Sequence, residues 1–76
     1  RLQLYPNPVL NELNLHLGSV RSGKIEIVSA TGAVKLSQTF TNSEQLQIPV
    51  ESLASGLYFV KFSALDEQSI IRFVKE

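Results

Sequence analysis

Cysteine is absent from this sequence, which excludes a disulfide framework and any thiolate metal site and leaves the redox compartment open. Tryptophan is absent too, so a flat aromatic platform for carbohydrate would have to come from Tyr5 and Phe59 alone. Neither sign of charge dominates. Lys+Arg 7 and Asp+Glu 7 cancel, removing the electrostatic footprint expected of a nucleic-acid or acidic-membrane binder. No apolar run approaches the ~20 residues of a membrane-spanning helix, and the amino terminus carries no basic-then-apolar signal. What remains is 76 residues, 43% of them hydrophobic, enough for a single domain over 1–76. Burying such a core offsets the conformational entropy of so short a chain only narrowly. The sequence opens on Arg1 without a methionine, which fits a fragment of a longer protein whose targeting signal and main activity lie upstream.

The most informative stretch is Leu53-Ala-Ser-Gly-Leu-Tyr-Phe-Val-Lys-Phe62, which predicts a turn followed by the central strand. From Gly56 onward Tyr58, Val60, Phe62 and Ala64 share one face of a pleat, and Leu57, Phe59, Lys61 and Ser63 the other. The lysine assigns the second face to solvent and the Tyr58 set to the core. Leu53 is expected to fold over the strand end as a lid, and Gly56 to take a backbone conformation closed to other residues. A buried Tyr58 needs a partner for its hydroxyl. The corner tyrosine of immunoglobulin-like sandwiches finds one in backbone a few residues upstream, and the Leu53 to Tyr58 spacing predicts the same here.

Elsewhere the pattern is one of short alternating runs. Leu2 and Leu4 predict a first strand stopped by Pro6-Asn7-Pro8, whose prolines cannot donate to a ladder and so belong at a sheet edge. Leu13, Leu15 and Leu17 alternate with polar neighbours, predicting a half-buried strand from Asn11 to Leu17. Gly18 to Gly23 reads as a polar connection, Lys24 to Ala30 as a strand with Ile25 and Ile27 inward, and Thr31-Gly32 as a turn. Val34 and Leu36 lead a return strand to Phe40, and Thr41-Asn42-Ser43-Glu44 has loop chemistry. Leu46 and Ile48 mark a short strand ended by Pro49. After a turn at Ala64-Leu65-Asp66-Glu67, Gln68 to Lys75 supplies the last strand. Ile71 and Phe73 are expected inward there, because Arg72 shares the other face with Ile70 and Val74. The expected fold is all-β, an immunoglobulin-like antiparallel sandwich of about seven short strands.

Chemistry is thinly represented. Gly18-Ser-Val-Arg-Ser-Gly23-Lys24 satisfies most of a phosphate-loop pattern. However, Ile25 stands where the magnesium-binding hydroxyl belongs, and a strand follows where a helix must present its amino terminus, so a polar turn is the reading. His16 is the sole histidine, lies on the polar face of its strand, and has no specific carboxylate company in Glu12 or Glu26 for a metal. A triad written with Asp66 lacks a nucleophile elbow or oxyanion-hole sequence, and Asp66-Glu67 reads as a solvated turn. No catalytic residue, cofactor or metal site is expected. Phe59, turned away from the core face, is either partly covered by its neighbours or an apolar docking spot.

Tyr5-Pro6-Asn7-Pro8-Val9 with Asn11 and Leu13, then Ile25-x-Ile27, Gly32-x-Val34, Leu53-x-x-Gly56-x-Tyr58-x-Val60 and finally Arg72-Phe73-Val74-Lys75 occur in that order over nearly the whole chain. Together they resemble the carboxy-terminal sorting domain of the type IX secretion system of Bacteroidetes. The resemblance implies an immunoglobulin-like sandwich at the end of a secreted passenger. An outer-membrane translocon would recognise it after periplasmic transit, and a cell-surface sortase often removes it while attaching the passenger to lipopolysaccharide. Gly56 and Tyr58 match the family's glycine–tyrosine pair, and Arg72 and Lys75 its basic terminal positions. Arg72 stands where lysine is common, and Glu76 adds an opposite charge beside Lys75.

The expected function is therefore a non-enzymatic export signal that works by a presented surface and a terminal strand. Ile71, Arg72, Phe73, Val74 and Lys75 are the expected recognition residues, and Pro6, Asn7, Pro8, Leu53, Gly56 and Tyr58 set the fold. The edge of Gln68 to Lys75 is the expected place for a partner to add a strand. A structural or adhesive spacer and a small carbohydrate-binding module of a secreted hydrolase are the rival readings.

Overall fold

A computed structural model describes residues 1–65 and 67–76. Asp66, and with it the middle of the expected turn and the sole aspartate, lies outside the described residues. The described chain is all-β and antiparallel, with no helix: β1 (Gln3–Tyr5), β2 (Glu12–Ser29), β3 (Val34–Pro49), β4 (Gly56–Ala64) and β5 (Glu67–Lys75). These are five strands where about seven were expected. The difference lies at the two segments read as connections. Gly18 to Gly23 is interior to β2 and Thr41 to Glu44 interior to β3, because the two strands pair on either side of these segments and at Arg21↔Ser43 within them, and so carry each other around a bend.

The bend has local causes. Register shifts separate the pairs His16↔Gln45, Arg21↔Ser43 and Gly23↔Phe40, as expected of bulges that sharpen strand twist. Asn42 takes a positive φ of 47°, and its N–H donates to Ser22 Oγ at 2.9 Å. Polar residues prevail at the bend because its outside faces water, and polar composition is what suggested loops.

Hydrogen bonding joins all five strands into a single sheet in the order β1-β2-β4-β5, with β3 on β2's other side, so the expected two stacked sheets do not appear. Along one side, β2 pairs first with β1 (Leu4↔Leu15) and then with β4 (Ile25↔Phe62). The sheet thus curls into a half-barrel around one core. That core holds Leu13, Leu15, Leu17, Leu46 and Ile48 from the first half of β2 and its partners, and Ile25, Ile27, Val60, Phe62 and Phe73 from the second. Every one of these sits at an alternate position, which is the pleat made visible. A further register shift between Ile27 and Val28 pairs Val34, the first residue of β3, with Val28 and leaves it exposed, while Leu36 packs on the core.

The corner before β4 forms as expected. Tyr58 is buried, and its hydroxyl donates to the Ala54 carbonyl at 2.6 Å. Leu53 packs partly buried against the core, and Gly56 has a φ of 153°, a region essentially reserved for glycine. At the other end of the half-barrel Arg21 Nη1 donates to Glu67 Oε1 at 2.6 Å, and its guanidinium lies 5.2 Å from the Phe62 ring centre. Ser69 Oγ donates to the other Glu67 oxygen at 3.0 Å.

The hydrogen bond from Arg21, then that from Ser69, holds the Glu67 carboxyl below its ordinary pKa. A depressed folded-state pKa means that this contribution to stability is complete above the unfolded value and is lost as pH falls through the folded one. The melting midpoint of the wild-type chain is accordingly expected to exceed that of Glu67→Gln at neutral pH, with the gap closing as the solution is acidified below the ordinary glutamate range. A gap independent of pH would remove Glu67 from the account.

Candidate functional site: the carboxy-terminal strand and its latch

β5 pairs with β4 over its full length, from Glu67↔Ala64 to Lys75↔Gly56. Its burial alternates strictly. Gln68, Ile70, Arg72 and Val74 are exposed, Ile71 is half-buried, and Phe73 and Lys75 are buried. Of the expected recognition residues, the structure therefore places Arg72 and Val74 on the outer face and Phe73 and Lys75 inside. Phe73 stacks on Tyr58 with ring centres 5.7 Å apart. Lys75 follows the same pleat inward, and its Nζ donates to the Glu76 backbone oxygen at 2.9 Å. Lys75 lies two positions beyond Phe73, so the same alternation that turns Ile71 and Phe73 inward places it inside.

The outer face of this half of the sheet is assembled row by row from the strand register. Val28, Phe59 and Arg72 lie side by side across β2, β4 and β5, and Glu26, Lys61 and Ile70 form the next row. Phe59 is half-buried, covered by Val28 and its neighbours, and with Ile70 and Lys61 it lines a shallow groove of about 320 Å³. Leu57 and Val74, another cross-strand pair, extend the apolar surface. Glu26 is engaged by Lys24 at 3.3 Å, and among the described residues Lys61 and Arg72 have no ion-pair partner, so the surface is apolar with net positive charge. Tyr5 is elsewhere. It pairs with Asn14 at the far end of β2, where its hydroxyl accepts from Gln45 Nε2 at 3.1 Å, so Tyr5 and Phe59 do not form one platform.

In an antiparallel ladder the N–H and C=O of one residue point to the same side. Odd-numbered residues of β5 face β4, and Gln68, Ile70, Arg72 and Val74 direct theirs to the edge. Among the described residues that edge is occupied at one end only. Asn7 Oδ1 accepts the Val74 N–H at 2.9 Å, the Val9 N–H donates to the Val74 carbonyl at 2.9 Å, and the Glu76 N–H donates to the Val9 carbonyl at 2.8 Å. Val9 forms a parallel bridge with Lys75 and is wholly buried. The Pro6-Asn7-Pro8 segment, expected at a sheet edge, is thus the approach to a contact with the opposite end of the chain. The match between an early Tyr-Pro-Asn-Pro and a late Arg-Phe-Val-Lys becomes physical: one binds the other.

The model of the secretion-system C-terminal sorting domain family matches residues 3–76. The chain belongs to this family, that of the type IX secretion sorting domains. Comparison with curated proteins gives no match. The family assignment makes this sorting domain a signal for export to the cell surface or the exterior, and implies a type IX secretion system and a passenger protein. His16, the remaining candidate of the sequence, serves a local role in the sorting domain: its Nδ1 accepts the Gly18 N–H at 3.2 Å. Gly18 to Lys24, the near match to a phosphate loop, is a strand, and the described residues contain no group of three or more potential metal ligands.

Proposed function

We propose that this domain directs a passenger attached to its amino-terminal side through the type IX outer-membrane translocon, and that it does so by presenting β5 rather than by catalysis. The supporting observation is the arrangement of β5: a terminal strand whose outer face alternates Ile70, Arg72 and Val74 beside Phe59 and Lys61, and whose edge, among the described residues, is open from Gln68 to Arg72. Open edges bind extended segments through main-chain hydrogen bonds, with alternate side chains giving selectivity. Ile71, Phe73 and Lys75 act from inside, holding the strand in register so that Arg72 and Val74 are presented. The setting is a bacterium of the Bacteroidetes type, with the protein crossing the periplasm, and a surface sortase is the partner that would release the domain.

The test is export of a reporter fused ahead of Arg1 in a host with this secretion system. Deleting Ile71 to Glu76 is expected to abolish export. Because that deletion also removes buried Phe73 and Lys75, Arg72→Glu combined with Ile70→Ser supplies the fold-preserving arm: the melting midpoint should stay near that of the wild type while export falls. Normal export from both variants would overturn the proposal and leave the spacer reading. Retention of the domain on a soluble glycan column would favour the carbohydrate-binding one.

A further inference from the structure

We propose that Asn7–Val9 is a displaceable latch on the carboxy-terminal strand. The export machinery recognises β5 by adding an extended acidic-apolar strand at the open half of its edge and then displacing the latch from the remainder. The inference rests on the sorting function proposed above and names how the site is regulated.

The latch is built to be short. Pro6 and Pro8 have no N–H, so the segment offers β5 only one side-chain acceptor, from Asn7, and the main chain of one residue, Val9. On its other side β5 is paired in register with β4 from Glu67 to Lys75, through the backbone groups of its odd-numbered residues. Exchange at the edge therefore leaves the strand in the sheet, and what is lost is three hydrogen bonds, which an incoming strand replaces in kind, together with the burial of the Val9 side chain, which an apolar residue of that strand must take over. The place to begin is also defined. The outward N–H and C=O groups of Gln68, Ile70 and Arg72 adjoin no strand among the described residues, whereas those of Val74 are already bonded.

The chemistry of the occupant follows from the side chains along that edge. Ile70 is well exposed, Arg72 is exposed, and neither Arg72 nor neighbouring Lys61 has an ion-pair partner among the described residues. A strand that alternates apolar residues with a carboxylate opposite Arg72 complements this row, whereas a basic strand is repelled by it.

The experiment compares the wild-type chain with Asn7→Ala, which removes the acceptor of the Val74 amide, and Asn7→Asp, whose carboxylate accepts the same bond with charge assistance. Amide exchange by NMR, sedimentation and reporter export are read on each. In Asn7→Ala the Val74 amide should exchange about five-fold faster, the equivalent of one net hydrogen bond, while the Phe73 amide facing β4 is unchanged. Export should rise. In Asn7→Asp both effects should reverse.

A purely structural tie gives the opposite sign, with export from Asn7→Ala falling in step with its melting midpoint, and that result overturns the proposal. So does a changed Val74 exchange rate with unchanged export. If Asn7→Ala dimerises without any gain in export, the edge accepts a second copy of this chain instead of a strand of the machinery, and the proposal falls. Absence of export from the wild-type fusion is a different failure, of the sorting function itself, and the amide exchange then still reports whether the latch opens.

Discussion

Tyr58→Ala is expected to lose about 3 kcal/mol of folding stability, a large share of what a domain of this size commands. Three contributions converge on the side chain. It is 5% exposed, its ring stacks on Phe73, and its hydroxyl donates to the Ala54 carbonyl and so ties the corner to β4. Tyr58→Phe separates them, because it keeps the ring and the stacking and gives up only the hydroxyl bond, for a cost of about 1 kcal/mol. Urea unfolding of both variants measures the difference, with the slope on denaturant unchanged if the native states are equally compact. The effect reaches the functional strand, since Phe73 is the residue that anchors β5 beneath Arg72 and Val74. A wild-type midpoint for Tyr58→Ala would reverse the face assignment of β4 and, through their cross-strand pairing, that of β5.

The two faces of each strand were legible in the sequence because the pleat is local. Leu13, Leu15 and Leu17, Ile25 and Ile27, Leu46 and Ile48, and the Tyr58 set all declared their side by period-two alternation, and all are on the inside. Strand continuity was not legible. Whether Gly18 to Gly23 turns or runs on depends on whether β3 follows it around the bend, and that is decided by pairing between residues such as Arg21 and Ser43 that no local window contains. The register shifts were not legible for the related reason that a bulge leaves no mark in composition.

The candidate site divides in the same way. That the terminal strand carries exposed Arg72 and Val74 was readable from its alternation. That its last part is covered by Asn7–Val9 was not, because nothing near Asn7 points to Val74. The family resemblance supplied both segments as motifs, and the fold supplies the contact that relates them.

Gly23→Ala is expected to cost roughly 3 kcal/mol, the upper range for overpacking, although the substitution adds one methyl group. Gly23 sits in β2 with Phe40 opposite on one side and Ala64 on the other, where the strand leaves its bend and β4 begins to pair. A Cβ built there would lie 2.1 Å from the Ser63 carbonyl oxygen and 3.1 Å from Ala64 Cα. Both are backbone atoms, so no side-chain rotation relieves the overlap, and β4 must move away from β2. That displacement opens the sheet beside Phe62, on whose ring Arg21 rests while it holds Glu67. The damage should therefore extend to the start of β5. In Gly23→Ala the pH dependence attributed to Glu67 should weaken together with the fall in melting midpoint. Ser22→Ala, one position earlier, removes only a hydroxyl bonded to the Asn42 amide and should cost about 1 kcal/mol. Equal stability of Gly23→Ala and the wild type would mean that β2 and β4 do not approach so closely at this point, and the half-barrel would have to be drawn wider there.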